Sequence, residues 1–453
     1  MKKKILSFLL IVGVALGMMA GCQPEGPTEP TEVDYAASVT LDMDSTETKK
    51  EVATVRMFID GDTTHFNVSS NVTNAKQEGV LKARYLAINT PESTGKIEVW
   101  GKKASKFTKE KLSSAESIVL ETDGNTWELD STGERHLVWV WYKPAGSDSY
   151  RNLNIEILQN GLAIASNSEQ NRYGETCGKA IKQAETLKLH VYSNEKDPDF
   201  YYGAAQQVTL KELRLNAEEY NGTKVAFECV MTALNDGGAY VESYDEETGI
   251  WFGMYVYYGF SASPMLLEYF LPGYKFRIVG TLSYWEAGGS WQVSGIEFNP
   301  RNPQQPNSTC VLDEENTYPA ANVETTLARF NETVEVEMED PETGDITKKT
   351  YLYSELAAGT TIKMNNLRVV STYTTNNGGD NDGAISITCE YGGQRIVVRT
   401  TVLRDAQGNQ VLASAFTGKT IDVRGIIDFY KQEGETEGSY QIKVLDFADI
   451  TIH

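Results

Sequence analysis

One turn constrains the fold of this 453-residue chain more than any other stretch. Asp60-Gly61-Asp62 separates a β-prone run, residues 55–59, from a second alternating run, residues 64–68. Asp-Gly between two such runs is typical of a β-hairpin, because glycine adopts the backbone angles that a tight turn needs. The pattern therefore predicts two strands joined at this turn, with Asp62 at a strand end.

A second informative stretch runs from Arg84 to Glu92. The residues before it alternate in polarity, which predicts a strand. Pro91 lacks a backbone donor and restricts the residue before it, so we expect Pro91 to end this strand. Residues 89–92 are then predicted to form a loop, close to Asp62 if the two strands pair.

The side chains of these two stretches suit cleavage of a phosphodiester. Arg84 and Arg135 each present a planar fork of donors that matches phosphate oxygens. Asp62 and Asn89 offer hard oxygen ligands for a cation, and Glu92 can accept a proton or orient water. Two arginines, one cation and one carboxylate meet the needs of in-line attack on a phosphodiester.

At these residues the chain resembles the thermonuclease family, the staphylococcal-nuclease-like phosphodiesterases. The resemblance rests on several motifs in the family's order: an Asp-Gly-Asp-Thr turn, an arginine strand leading to Thr-Pro-Glu, a helix, a second turn ending in arginine, an asparagine, and Gly-Leu-Ala. These motifs lie at residues 60–63, 84–92, 101–109, 130–135, 154 and 161–163. The resemblance covers residues 51–193.

The resemblance implies three catalytic residues and a polynucleotide substrate. Arg84 and Arg135 are implied to bind the phosphate, and Glu92 to activate water. The implied substrate is DNA, with RNA as a second candidate. A catalytically inactive module of the same fold is the alternative, although turn geometry alone does not require arginine at these two positions.

The resemblance also implies calcium as the cofactor. Its ligands would be the Asp62 carboxylate, the side chain of Asn89 and the backbone carbonyl of Thr90. Asn89 departs from the family's usual aspartate. The change keeps one oxygen ligand but removes a charge, so we expect weaker calcium binding.

The first 50 residues read as a targeting segment and a spacer. Three lysines precede an apolar run within residues 1–21, which is typical of a signal peptide. The segment Met19-Ala20-Gly21-Cys22 resembles the bacterial lipoprotein cleavage box, which implies lipid on Cys22 and anchoring at the outer face of a membrane. An ordinary secretory signal is the alternative. Residues 22–50 are then the anchor and a flexible tether.

The remainder of the chain contains two similar segments. Residues 272–293 and 417–442 share the order strand, glycine, strand, turn, strand, with aromatic residues at matching places. They predict two OB-like β modules, at 204–298 and 313–453, although another small barrel or sandwich would fit the same pattern. Helical spacing at 101–109, 153–164 and 179–189 beside about five strands predicts that residues 51–193 form a larger OB-fold, a five-stranded barrel plus helices. The predicted fold class is thus mainly β, with an α+β nuclease domain followed by two smaller barrels.

Charge separates these parts. The chain carries a net charge of −22, but residues 51–193 hold 17 Lys and Arg against 18 Asp and Glu. A polyanion is therefore expected to approach the nuclease-like region and to avoid the two modules. Their aromatic residues, Trp251, Tyr255, Tyr257, Trp285 and Trp291, are explained by core packing or by base stacking.

The sequence thus predicts a lipid-anchored, calcium-dependent extracellular nuclease. The alternative is a non-enzymatic surface protein whose three OB-like modules bind nucleic acid, peptide or glycan. The histidines are scattered and there is no Cys-x-x-Cys, so neither a zinc site nor a disulfide framework is predicted. The ligand of the two modules is not predicted, and no protein partner is inferred.

Overall fold

The computed structural model describes most of the chain from residue 32 onward. The described residues are 32–69, 71–259, 264–286, 288–298, 308–313, 315–339, 346–379, 381–432, 435 and 437–453. Residues 34–453 form one compact unit. The predicted signal peptide, Cys22 and the tether as far as residue 31 lie outside the described residues. Within them, no helix has the length and apolarity that crossing a membrane requires.

The first part of the compact unit combines eight strands with three helices. In chain order they are β1 (Lys50–Asp60), β2 (Thr63–Asn67), β3 (Val80–Tyr85), β4 (Ile88–Asn89), α1 (Gly101–Ser113), β5 (Ala115–Glu121), β6 (His136–Pro144), β7 (Arg151–Asn152), α2 (Leu153–Gln159), β8 (Ile164–Ala165) and α3 (Gly174–Leu187). The predicted hairpin and the three predicted helical regions are present, with helix bounds shifted by several residues.

Five of these strands close into a barrel. The pairing order is β3-β2-β1-β5-β6, and β6 returns to pair in parallel with β3. The other four pairings are antiparallel. This is the strand order of an OB-fold, so the predicted architecture of this region is confirmed.

The interior of this first barrel is apolar and aromatic. Trp139 and Trp141 on β6 are fully buried, as are the alternating residues Val138 and Val140. Both faces of β6 are therefore covered, one by the barrel interior and the other by packed helices. Core packing accounts for both tryptophans, as the spacing predicted.

The segment before β1 packs against the barrel from residue 34 onward. The Ala36 backbone amide donates to the Gln159 side chain at 3.0 Å, and Ala36 is fully buried. Arg151 forms a bidentate ion pair with Asp34 at 2.7 and 2.9 Å. Residues 34–49 are thus part of the folded unit, although the sequence predicted a flexible tether as far as residue 50.

A second barrel follows. Its elements are β9 (Gln206–Gln207), α4 (Leu210–Leu215), β10 (Lys224–Asn235), β11 (Gly238–Asp245), β12 (Ile250–Tyr257), α5 (Pro264–Tyr269), β13 (Lys275–Trp285), β14 (Ser290–Ser294) and β15 (Cys310–Asp313). Strands β10, β11, β12, β14 and β13 pair in that order, and β13 closes on β10. The strand β15 lies beyond residue 298, where the sequence placed the end of this module; the domain limits stay predictions.

A third barrel repeats the arrangement. Its elements are β16 (Val323–Glu324), α6 (Leu327–Phe330), β17 (Thr333–Glu339), β18 (Ile346–Leu352), α7 (Tyr353–Leu356), β19 (Thr361–Thr374), β20 (Ile385–Tyr391), β21 (Gln394–Thr400), β22 (Thr420–Lys431), β23 (Gly438–Val444) and β24 (Ile450–Ile452). Strands β19, β20, β21, β23 and β22 pair in that order, and β22 closes on β19. The hairpin β17–β18 is an insertion absent from the second barrel.

The five barrel strands of the two later barrels have the same order and pairing, which confirms the predicted OB-like modules. The third and fifth barrel strands pair in parallel in both, as β12 with β14 and as β21 with β23. The predicted order of strand, glycine, strand is wrong in one respect, because Gly280 and Gly425 each lie inside one continuous strand. A Cβ at Gly280 would lie 2.7 Å from the Ser294 carbonyl oxygen, and one at Gly425 would lie 2.6 Å from that of Lys443. The glycines permit a close strand approach rather than a break.

The apolar residues form two core clusters. One fills the first barrel, and the other runs continuously through the second and third barrels. The four cysteines in the described residues, Cys177, Cys229, Cys310 and Cys389, are buried and free. In the described residues, the second and third barrels therefore share one apolar core, and the first barrel has its own.

Candidate functional site

The turn between β1 and β2 brings two carboxylates to one end of the first barrel. Gly61 lets the turn approach residue 90 closely, because a Cβ there would lie 2.9 Å from both the Cγ2 and the Oγ1 of Thr90. The Thr90 backbone amide donates to the Asp62 Oδ2 at 2.8 Å. The turn and the loop after β3 are therefore held together, as the sequence predicted.

Arg84 joins the predicted metal ligands directly. Its Nη1 donates to the Asp62 Oδ1 and its Nη2 to the Asn89 Oδ1. The strand register explains the meeting, since Thr63 lies opposite Arg84 in the β2–β3 pair. The structure thus gathers Asp62, Arg84, Asn89 and Thr90 into one cluster.

The route from Arg84 to Asn89 differs from the prediction. The strand ends at Tyr85, well before Pro91, and Ala87 adopts a left-handed backbone conformation with φ of 70°. The chain then forms the two-residue strand β4, in which Asn89 pairs with Ile164. Asn89 therefore lies on a short strand rather than on the predicted loop.

Burial sets the electrostatics of Asp62. Its side chain is 1% exposed, and burial raises its pKa above the ordinary value of 3.8. The positive charge of Arg84 and the amide of Thr90 act in the opposite direction. The buried Asp62 carboxylate therefore lies against the guanidinium of Arg84, whose positive charge compensates its negative charge.

Asp60 is a functional candidate that the sequence reasoning missed. Burial raises its pKa to about 7, and the nearby Glu92 carboxyl group, within hydrogen-bonding range, adds to the shift. The Ser93 hydroxyl donates to the Asp60 Oδ1 at 2.7 Å. The turn motif contains Asp60, but its meeting with Glu92 depends on tertiary structure and gives no signal in the sequence.

Glu92 is exposed at the start of a loop that leads into α1. The Glu98 backbone amide donates to the Glu92 carbonyl oxygen at 2.8 Å, which closes the loop on itself. At the first residue of α1, Gly101, a Cβ would overlap that same carbonyl oxygen. The helix can therefore begin directly against the backbone of Glu92 only because residue 101 is glycine.

Arg135 lies immediately before β6, the strand that pairs in parallel with β3. The register places Arg84 opposite Leu137, two residues after Arg135. The Asp130 Oδ2 accepts from the Nε of Arg135 at 2.7 Å and lies 2.7 Å from its Nη2. Asp130 therefore orients Arg135, whereas Arg84 is oriented by Asp62 and Asn89.

The donor set fits a hard cation such as calcium. Asp62 and Asn89 present oxygen atoms side by side, and the described residues give the buried Thr90 Oγ1 no hydrogen-bond partner. An orphaned buried hydroxyl beside a carboxylate suits a cation or its water. The described residues contain no cluster of three or more His, Cys, Asp or Glu suited to a metal, so a cation here would depend on neutral oxygens as well as on Asp62.

Comparison with known proteins agrees with this geometry. Residues 82–194 match the family model of the staphylococcal nuclease homologues. This region includes Arg84, Asn89, Glu92 and Arg135, and it confirms the resemblance predicted from the motifs. No curated protein matches the chain.

Proposed function

We propose that this protein is a calcium-dependent nuclease that hydrolyses phosphodiester bonds of DNA, with RNA as a second substrate. The observation that carries the proposal is the placement of Arg84 between Asp62 and Asn89, with Arg135 two residues before Leu137, which lies opposite Arg84 in the β3–β6 pair. The match of residues 82–194 to the nuclease family model supports the same chemistry. The geometry of the turns does not by itself require arginine at positions 84 and 135.

The two arginines are suited to bind the phosphate. A guanidinium has five N–H donors, and Arg84 uses only some of them on Asp62 and Asn89. Arg135 is fixed through Asp130 in the same way. Both retain donors for phosphate oxygens and would stabilise the negative charge that develops on them during attack.

Glu92 is placed to take a proton from the attacking water. It is exposed, so water reaches it, and its neighbour Asp60 is a buried acid with a pKa of about 7. Two adjacent carboxyl groups share one proton readily, because both cannot ionise at low cost.

Calcium would be held by Asp62, by the Asn89 side chain and by Thr90. Once bound, it would supply Lewis-acid polarisation of the phosphate. In the structure Arg84 donates to the Asp62 and Asn89 oxygens, so a bound cation would share those oxygens with Arg84.

The direct test is DNA hydrolysis by the full chain carrying Glu92→Gln or Arg135→Ala. Each change is expected to lower the rate by about a hundredfold or more, as loss of one such group typically does. Both side chains are at least partly exposed, so the variants should keep the circular dichroism spectrum of the wild type. Wild-type turnover in a folded Glu92→Gln protein would rule out this assignment of the base.

The second candidate function is a non-enzymatic binding protein, which the presence of two further OB-like barrels favours. Release of acid-soluble nucleotides from DNA in calcium, and none in chelator, distinguishes the two functions. Absence of release in both conditions would favour the binding protein.

We further propose that the chain is anchored by lipid on Cys22 at the outer face of a bacterial membrane. The proposal rests on the small residues that precede Cys22 and on the apolar run before them. Metabolic labelling with a radioactive fatty acid should mark the wild type and not a Cys22→Ser variant. Equal labelling of both would contradict it.

A further inference from the structure

A large cleft lies where the three barrels meet. Its volume is about 930 Å³. One wall is formed by α1 and the loop after Glu92, and the other walls by strands and turns of the second and third barrels. We call it the three-barrel cleft; it is separate from the Arg84 cluster, and none of the side chains assigned to that cluster lines it.

The second and third barrels place the same aromatic pattern in this cleft. The second barrel contributes Tyr284, Trp285 and Trp291, and the third contributes Phe429, Tyr430 and Tyr440 from equivalent strands. In each barrel two members of the set lie opposite each other, as Tyr284 with Trp291 and as Phe429 with Tyr440. Each pair has its ring centroids 5.1 Å apart. The aromatic pattern that repeats in the sequence is therefore repeated in the structure as well.

The third member of each set is not a core residue. Trp285 is 48% exposed and Tyr430 is 52% exposed. Core packing does not explain large half-exposed rings at equivalent positions in one cleft, and Tyr284 of the paired rings is itself 42% exposed. Flat exposed rings of this kind are suited to stacking on another flat group.

The lining of the cleft is positively charged, although the chain is strongly acidic. Among its described residues are six Lys or Arg and three Asp or Glu. Lys102, Lys106 and Lys109 lie at helical spacing along α1, so they form one row facing the cleft. A net positive lining in a chain of charge −22 favours an anionic ligand.

Arg214 adds a partly buried cation to the lining. Its Nη2 donates to the Gly253 carbonyl at 2.5 Å and to the Ala358 carbonyl at 2.7 Å. Its Nε is buried without a hydrogen-bond partner, and no carboxylate of the described residues forms an ion pair with it. A partly buried guanidinium with a spare donor is suited to bind an anion that enters the cleft.

The cleft is adjacent to the proposed catalytic site. Ser93, the residue after Glu92, lines the cleft and also donates to Asp60. The loop is fastened to the second barrel, because the Ser294 hydroxyl donates to the Gly95 carbonyl at 2.6 Å. A polymer lying in the cleft would thus continue toward Glu92.

We propose that the three-barrel cleft binds a single-stranded segment of nucleic acid, with bases stacked on Trp285 and Tyr430 and phosphates near the α1 lysine row and Arg214. The delivery of that strand to Glu92 rests on the proposed nuclease function. Exposed rings and a net positive lining together select a ligand with both flat bases and negative charge. A duplex hides its base faces and a neutral glycan lacks the charge, so neither uses both features.

The test measures binding of a fluorescent oligothymidylate of about 20 nucleotides to the full chain in chelator, by anisotropy. Trp285→Ala and Tyr430→Ala are each expected to weaken the affinity by about tenfold, since one base loses its stacking partner. Tyr391→Ala is the matched control, because Tyr391 is 47% exposed and lies outside the cleft. Lys106→Ala should reduce the salt dependence of binding, whereas Lys103→Ala, on the same helix but outside the lining, should not.

Unchanged affinity in both aromatic variants, with the variants folded, would overturn the proposal. So would equal affinity for heparin with no dependence on Trp285, which would indicate a sulfated glycan as the ligand. Hydrolysis of bis(p-nitrophenyl) phosphate by the wild type in calcium tests the nuclease proposal separately. If the oligonucleotide binds through Trp285 but no diester is cleaved, the nuclease proposal fails and the cleft proposal stands; the reverse result removes only the cleft proposal.

Discussion

The two carboxyl groups of the first turn have different partners and different consequences. Asp62 is bound by Arg84 and by the Thr90 amide, so its negative charge is compensated. Asp60 lies against Glu92, a second acid, and burial raises its pKa to about 7. Only one residue separates them in the sequence, yet one is positioned to hold a cation and the other a proton.

The raised pKa of Asp60 predicts how the stability of the first barrel depends on pH. Its ordinary pKa is 3.8, so between about pH 4 and pH 7 the folded protein holds a proton that the unfolded chain has lost. The stabilisation from this group is therefore complete below about pH 4 and is lost as the pH rises through about 7.

Asp60→Asn should flatten that dependence, because an amide does not titrate. Thermal midpoints measured in chelator from pH 5 to pH 8 should fall less in Asp60→Asn than in the wild type. Glu110→Gln, an exposed acid on α1, serves as the control and should follow the wild type. Parallel curves for all three proteins would show that Asp60 is ionised throughout the range.

Asparagine rather than aspartate at position 89 is expected to weaken calcium binding by a measurable amount. Its Oδ1 lies in the Arg84 cluster, where a carboxylate would add one ligand charge. Asn89→Asp should lower the calcium concentration for half-maximal DNA cleavage by about tenfold, about 1.4 kcal/mol, while the rate at saturating calcium changes little. A calcium titration of both proteins checks this. An unchanged midpoint would show that residue 89 is not a calcium ligand.

At the scale of elements, the sequence predicted the strands and helices better than the connections between them. The β1–β2 hairpin and α1 follow from alternation, Asp-Gly chemistry and helical spacing, which are local. The early end of β3 depends on Ala87 adopting a positive φ, which an alanine sequence does not predict. The contact between Asp60 and Glu92 depends on where α1 begins, and that is fixed by packing against the loop.

Gly101 is the element-scale feature most open to test. Its Cβ position coincides with the Glu92 carbonyl oxygen, so Gly101→Ala must displace either α1 or the loop that carries Glu92. We expect a loss of about 1–3 kcal/mol in the free energy of unfolding, typical of overpacking, together with a fall in nuclease rate.

Gly178→Ala is the matched control for Gly101→Ala. Gly178 lies inside α3, and a Cβ there meets nothing within 4 Å. Alanine at this position should stabilise the protein by about 0.5–1 kcal/mol through helix propensity. Urea unfolding of the two variants provides the comparison, and a neutral Gly101→Ala would show that the loop can move at no cost.

At the scale of the molecule, the charge of a segment and the charge of a cleft lining differ. The excess of acid in the later barrels predicts that polyanions avoid them, and this stays a prediction, whereas the three-barrel cleft is lined by more cations than carboxylates. The cations come from all three barrels, among them Lys106, Arg214 and Lys443. Net charge of a segment describes its average surface, whereas the lining of a cleft depends on how separate segments meet, which a sequence pattern does not give.

The contact between the second and third barrels predicts how the molecule unfolds. Their apolar residues form one continuous cluster, and the first barrel has its own cluster. Calorimetry should therefore resolve one transition for the first barrel and one for the other two together.

The second and third barrels meet backbone to backbone, because a Cβ on Gly253 would overlap the Gly359 carbonyl carbon. Arg214 also donates to backbone carbonyls of both barrels. Gly253→Ala should lower the midpoint of the two-barrel transition and leave that of the first barrel unchanged. Equal shifts of both transitions, or none, would show that the three barrels do not divide in this way.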